Sequence, residues 1–390
     1  MGRAAHRGDP AAEASGGDVV ASANAHKTAP RTGHYKGAWM KRILLLGGTG
    51  FVGRSVCDKL VERSGGAGDR IVVPTRNPAR ARHLQLLPTV QLERADVHDE
   101  AQLRQLVEGA DAVVNLVAIL HGSDTAFERV HIELPRKLAA ACRATGVRRV
   151  LHVSALGVAG SGPGLLQEPQ RQDLERQAPE GQGRGAPQPA RPAGAAEPSR
   201  YLRSKAAGER VLCGAGLDVT VLRPSVIFGE HDRFLNLFAT LQALLPVVPL
   251  GGAQARFQPV WVQDVASAIV RCLTDPTTIG QTFECTGPDV YTLREIVQAV
   301  GRWSGHPRRV FGLPDALARA QALLMEWLPG EPLMSRDNID SMRVPNVASG
   351  ALPGLAALGI SAASLESVAP AYLAPGQGIA RLDRWRAGRH

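Results

Sequence analysis

The chain has 390 residues, 44% of them hydrophobic and 21% charged, with a formal net charge of +9. That length can bury one large domain or two smaller ones. Its five cysteines, Cys57, Cys142, Cys213, Cys272 and Cys285, form no CxxC pair, which argues against a disulfide framework and a zinc site. No apolar run reaches the roughly 18–20 residues that span a bilayer; the longest, 112–120 and 241–250, read as a buried strand and a proline-broken core segment. Of the net charge, +2 falls in residues 1–39 and +3 in residues 374–390, leaving +4 for the rest. There is no Lys/Arg block interleaved with aromatics, so specific nucleic-acid binding is not expected. A mild attraction to acidic surfaces or anionic lipid remains.

Residues 1–39 are rich in Ala, Gly and small polar groups and show no hydrophobic periodicity. They lack the apolar centre of a secretory signal, and Asp9, Glu13 and Asp18 argue against a transit peptide. The segment reads as a disordered extension or an over-called translation start, because Met40 stands directly before KRILLLGG.

The run KRILLLGGTGFVGRSV, residues 41–56, is the most informative stretch. An apolar strand (43–46) enters Gly47-x-x-Gly50-x-x-Gly53, and a helical pattern follows. Gly47 and Gly50 allow a tight turn and close backbone approach to a phosphate, and Gly53 lets the helix pack near the strand. The free N–H groups and positive dipole end of that helix face the same point, so a dinucleotide is the expected ligand. Thr49, Phe51 and Val52 complete the loop and first helical turn and count among its contacts.

Strand-like runs recur at 71–74, 90–92, 112–116 and 150–153, with helical runs at 53–63, 79–87, 100–108 and 126–145. Strict alternation predicts a Rossmann-type, doubly wound parallel α/β sheet whose ligands bind at the strands' carboxyl ends. Residues 160–199 interrupt it with Gly, Pro, Gln, Ala and Arg, a composition that cannot bury a core and predicts a disordered insertion or a frame-shifted reading. Beyond it come a helix (201–214), a strand (219–223), a helix (234–245), a strand-like PVWVQDV (259–265) and a helix to Leu273. From 281 to 373, strand QTFEC and helix TLREIVQAV predict a small C-terminal α/β substrate-side lobe, followed by a basic tail at 374–390. An apolar helix beyond Pro314 (Leu317, Ala320, Leu324, Trp327, Leu328) reads either as core packing or as a docking face for a partner or membrane.

The end of the second strand bears on cofactor choice. An NAD site places Asp or Glu there, whereas VVPTRNPARAR offers Arg76, with Arg80 and Arg82 in the next turns. A guanidinium binds a 2′-phosphate that a carboxylate would repel, so NADP(H) is favoured over NAD(H). Asp96, beside Val97 in ERADVHD, is placed to bond the adenine amino group, and Asn115, Leu116 and Ala118 of NLVA to line the adenosine ribose. Pro224, at the strand end of LRPSVIFG, joins the cofactor contacts. A second constellation is Ser154, Tyr201 and Lys205. The phenol and ammonium lie four residues apart on one helix face, and Ser154 follows strand LHVSA. In that geometry Lys205 would bond the nicotinamide ribose and depress the Tyr201 pKa, and Tyr201 would exchange a proton with a substrate oxygen steadied by Ser154.

The order GGTGFVG, NLVA, HVSAL, YLRSK, LRPSVIFG and PVWVQDVA resembles the atypical or extended short-chain dehydrogenase/reductase superfamily. GERVL after YLRSK, GEHDRFLNLFA and LMSRDNIDSMRV resemble one branch, the nucleotide-binding 39 kDa-type accessory subunit of respiratory complex I and its bacterial relatives. The resemblance implies tightly held NADPH without assigned turnover, and partners in complex I or quinone biosynthesis. The scattered cysteines suit a reducing compartment, and the expected location is cytoplasmic, peripheral on the inner face of the membrane. Three activities stay open: a nucleotide-binding subunit that scarcely turns over, an NADPH-dependent reductase, epimerase or dehydratase using Ser154, Tyr201 and Lys205, and a redox-sensing regulator.

Overall fold

A computed structural model describes residues 42–65, 69–158, 199–326 and 335–374. The expectations for 1–39, 160–198, Trp327, Leu328 and the tail from 375 lie outside the described residues.

The first strand shows why the sheet is doubly covered. In β1 (Arg42–Leu46) Ile43 and Leu45 enter one apolar layer and Leu44 and Leu46 the other. Strands buried on both faces need continuous apolar runs, which RILLL supplies. β1 pairs in parallel with β2 (Arg70–Thr75) on one side and β4 (Ala112–Asn115) on the other. β3 (Val90–Arg94) continues past β2; β5 (Arg149–Val153), β6 (Asp218–Pro224) and β7 (Thr282–Cys285) continue past β4. The chain winds outward from β1 in both directions, which is the Rossmann arrangement and leaves a crevice at the carboxyl ends of β1 and β4. One face of the sheet is covered by the glycine-loop helix Phe51–Ser64 and helix Val262–Thr274, through Val56, Leu60, Val265 and Ile269. Helices Glu100–Val107 and Leu134–Thr145 cover the other through Leu103, Leu106, Leu134 and Leu138.

Several elements depart from expectation. The 79–87 segment is a 3-10 run, Pro78–Leu86, broken at Ala81, and Asn77 offers no side-chain cap to start an α-helix. The 126–145 helix is a short helix Asp124–Glu128, a π-turn Arg129–Glu133 and helix Leu134–Thr145. In PVWVQDV the strand is only Val260–Trp261, because Val262, Val265, Ala266 and Ile269 form an apolar stripe at helical spacing. Within 241–250 the helix stops at Leu244 and a strand, Val247–Leu250, begins past Pro246; the residue before a proline is driven to extended geometry, and Leu245 has φ −100° and ψ 140°. QTFEC belongs to the large sheet as β7, so the expected lobe boundary at 281 falls inside the sheet.

The lobe is discontinuous in sequence. Helices Phe234–Leu244, Leu293–Trp303 and Leu365–Leu373 bury Leu235, Phe238, Ile296, Val300, Ala369 and Tyr372 together. The DRFLN segment closes it: Asp232 accepts the Leu235 amide at 2.6 Å and the Tyr372 hydroxyl at 3.0 Å, and burial pushes its carboxyl up. The helix beyond Pro314, Asp315–Glu326, buries Ala318 and Ala322 against Ile339, while Leu317 is 56% exposed. Core packing therefore accounts for Ala318 and Ala322 and not for Leu317 or Ala320, both of which are exposed.

Candidate active site

The crevice begins at the glycine turn. Gly47 has φ +80°, a left-handed conformation that favours glycine, and a Cβ there would lie 3.1 Å from the Leu116 carbonyl carbon. A Cβ on Gly53 would sit 2.5 Å from the Gly47 oxygen, so the helix can approach the turn only with glycine at that position. Gly50 caps the helix without a side chain, and no acid stands in the first turn. An anion thus meets unscreened amide groups and the positive end of the helix. Thr49, Phe51 and Val52 are partly buried around this turn. Gly48, absent from the spaced triad, is equally constrained: its Cβ would fall 2.9 Å from Val73.

Along the crevice, Arg76 is exposed past the end of β2, and no carboxylate occupies residues 75–77. Asp96 is fixed after β3: its Oδ1 accepts the His98 amide at 3.0 Å, and its own amide donates to Gln102. Burial, with Arg129, Arg76 and Lys137 nearby, pushes the His98 imidazole down against a raising pull from Asp96. Val97 is partly buried and Ala118 is exposed. The Leu116 amide donates to Leu46 O at 2.9 Å, tying the end of β4 to the end of β1. Asn115 is buried; its Oδ1 accepts the Val117 amide and its Nδ2 donates to His152 Nδ1 at 3.3 Å.

At the other end, Ser154 follows β5 with its amide bonded to Leu222 O at 2.8 Å and its buried Oγ without a partner among the described residues. The Tyr201 helix, Arg200–Cys213, brings Lys205 beneath it, where Nζ donates to Val153 O at 3.0 Å. Burial pushes the Lys205 ammonium down to about 8, against a raising pull from Glu209. Glu209 is itself held by Arg223 in a buried two-pronged pair at 3.0 and 2.6 Å. Tyr201, Leu202 and Ala206 pack with Ala155 and Val158, which brings the Ser154 loop and the Tyr201 turn together. Burial pushes the Tyr201 phenol up, opposite to the depression expected from Lys205. Pro224 is buried at the end of β6, where its carbonyl accepts the Leu156 amide at 2.9 Å.

Residues 43–285 match the family described as NAD dependent epimerase/dehydratase. The chain belongs to the NAD dependent epimerase/dehydratase family. It is 30% identical to the mouse (Mus musculus) NADH dehydrogenase [ubiquinone] 1 alpha subcomplex subunit 9, mitochondrial, over 83% of this chain and 77% of that protein. It is 27% identical to the Neurospora crassa NADH-ubiquinone oxidoreductase 40 kDa subunit, over 76% of this chain and 69% of that one. Its fold is shared with the NADPH-dependent quinone oxidoreductase QOR2 of Escherichia coli, with TM-score 0.60, 19% identity and coverage of 84% and 98%.

Epimerase-family motifs do not reveal what holds the Tyr201 helix in place. His131, in the π-turn, faces Tyr201 edge-on with ring centroids 5.6 Å apart. Its Nε2 accepts the Ile119 amide at 3.2 Å, so the proton sits on Nδ1 and donates to Ser204 Oγ at 2.8 Å, which donates in turn to Tyr201 O. Burial pushes His131 down to about 3, which keeps it neutral. Gly208 lies directly on the His131 carbonyl, where any Cβ would collide. Asn346 bridges β6 to the lobe, its Oδ1 accepting from Ser225 Oγ at 2.6 Å and the Val226 amide at 2.9 Å. The signals were present, a His in a helical run and a Gly three residues past YxxxK, but each gains meaning only through a partner far away in sequence.

Proposed function

We propose that this chain binds NADP(H) in the crevice with little or no turnover and serves as a nucleotide-binding subunit of a respiratory or quinone-linked assembly. The observation that carries the reading is the state of the acid–base pair. A general acid or base works best with a pKa near the operating pH, yet burial drives the Tyr201 phenol away from it and Lys205 donates to Val153 O. Pyrophosphate contacts fall to Gly47, Thr49, Gly50, Phe51, Val52 and Gly53, supported by the acid-free helix start. Arg76 takes the 2′-phosphate, supported by its exposure and the absence of a carboxylate at 75–77. Asp96, Val97, Asn115, Leu116 and Ala118 flank the adenosine, and Tyr201, Lys205 and Pro224 the nicotinamide ribose. A bound nucleotide would supply a transferable hydride, and the residues named here would hold and orient it.

The names of the mouse and Neurospora relatives support a place in complex I. A cytoplasmic protein peripheral on the inner membrane face fits the exposed apolar side chains Leu244, Val247 and Phe311, on or next to two paired strands, together with Leu317, exposed at 74%, 43%, 53% and 56%. Arg302, Arg308 and Arg309 are exposed on the neighbouring elements, so an anionic lipid surface suits it better than a neutral one. The second reading, an active reductase, epimerase or dehydratase, is favoured by one observation: the buried Ser154 Oγ, without a partner among the described residues, in the loop packed against Tyr201.

Mass spectrometry of the nucleotide released from freshly purified protein, followed by single-turnover absorbance with quinone and carbonyl acceptors, separates the two. NADPH that no acceptor oxidises is the expected result, and rapid oxidation would establish an enzyme. Arg76→Ala should weaken NADPH about 10- to 100-fold, the worth of a charged hydrogen bond, and leave NADH within about twofold; equal losses would remove Arg76 from the 2′-phosphate.

A further inference from the structure

The helix that carries Tyr201 and Lys205 starts on a residue far from its own sequence. Ser199 caps it conventionally, its Oγ accepting the Leu202 amide at 3.2 Å. The two preceding amides go elsewhere. Asp337 Oδ1 accepts the Arg200 amide at 2.8 Å and Asp337 Oδ2 accepts the Tyr201 amide at 3.2 Å. The carboxylate is 8% exposed and lies 3.7 Å from Arg200 Nε. The Ser341 hydroxyl lies 2.8 Å from Ser199 Oγ and 2.8 Å from Asp337 O of its own helix, so with the two Asp337 bonds the short helix, Arg336–Ser341, meets the first turn at three points. Val344 then packs in the cluster of Tyr201, Leu202, Ala155 and Val158. The short helix is itself anchored, with Ile339 against Ala318 and Ala322 and Asp340 bonded to Arg319 at 2.7 Å.

We propose that Asp337 is a positioning residue for the nicotinamide end of the crevice. Its carboxylate accepts the amide of Tyr201 itself and carries negative charge at the positive end of the helix dipole. The lobe segment thereby fixes the rotation and height of the turn that aims Tyr201, and of Lys205 one turn later, at the ends of β5 and β6. This explains in physical terms why SRDNIDSM belongs with YLRSK in one chain: the first segment supplies the acceptors that the second helix lacks. The proposal rests on the reading that Tyr201 and Lys205 border the nicotinamide ribose.

The test is a comparison of two probes on the full chain. NADPH spans both ends of the crevice, whereas adenosine 2′,5′-bisphosphate reaches only the end near Arg76. Asp337→Ala should weaken NADPH about tenfold, the typical worth of a cap, and leave adenosine 2′,5′-bisphosphate within about twofold. Asp337→Asn retains one oxygen acceptor and should lose about threefold on NADPH alone, which keeps the test open if the alanine variant fails to fold. Parallel losses on both probes, or none on NADPH in a folded variant, would overturn the positioning role. A wild-type protein that binds neither probe would overturn the nucleotide reading, and the positioning role with it.

Discussion

Lys205 is among the largest fully buried side chains, and its ammonium donates to Val153 O at 3.0 Å. Burial lowers its pKa from 10.5 to about 8. Between those values the unfolded chain holds a proton that the folded chain has released, so this group's contribution to stability rises with pH across that window. The gap corresponds to about 3 kcal/mol. By urea unfolding, the stability of wild type relative to Lys205→Met should therefore rise between pH 8 and 10.5, by up to about that amount; a pH-independent difference would show that the ammonium is not desolvated. Ser154, Tyr201 and Lys205 were legible in the sequence because fixed spacing on a helix and a strand end carries their relation. His131, His152 and Asp337 were not, since each acts through a partner brought in by tertiary packing. The phenol's direction was misread for the same reason: spacing reveals which groups are near, whereas desolvation depends on everything around them.

Among the elements, the π-turn Arg129–Glu133 and the Tyr201 helix form the closest backbone approach that bears on the site. Gly208 permits it, because a methyl group there would run into the His131 carbonyl. Gly208→Ala should cost about 2–3 kcal/mol by overpacking, read by thermal or urea unfolding. Gly354→Ala is the control. Gly354 has φ −100° and its Cβ would meet only Glu284 O at 3.6 Å, an ordinary contact. Its change should stay within about 0.5 kcal/mol, and equal costs at the two glycines would remove the argument. The central strands β1, β2 and β4 were readable because both their faces are buried and ILLL, IVVP and AVV are unbroken apolar runs. The π-turn was hidden, because a bulge of one residue preserves the apolar pattern on either side. The 3-10 run at Pro78–Leu86 was over-read for want of a capping residue, and β7 was assigned to the lobe because its neighbour β6 is remote in sequence.

For the whole molecule, alternation of strand and helix sufficed to foresee the doubly wound sheet, but not the lobe's assembly from separated segments. The lobe's apolar face, with its arginines alongside, carries a prediction of its own. The protein should sediment with vesicles containing phosphatidylserine at low salt and be released as salt rises. Leu244→Ser with Phe311→Ser should weaken that association at least about tenfold, given the worth of one buried apolar side chain; unchanged binding would free the face from a membrane role. The bond from Tyr372 to Asp232 spans 140 residues, and it sets the order in which the chain can mature. On a ribosome adding about 5–20 residues per second, about 7–28 s separate the emergence of the two partners. Throughout that interval Leu235 and Phe238 wait for Ala369 and Leu373 to cover them. The nucleotide half can be built early, yet the lobe remains open until the last described helix arrives. A nascent chain stalled before Tyr372 would present chaperones with an apolar surface that the finished protein never shows.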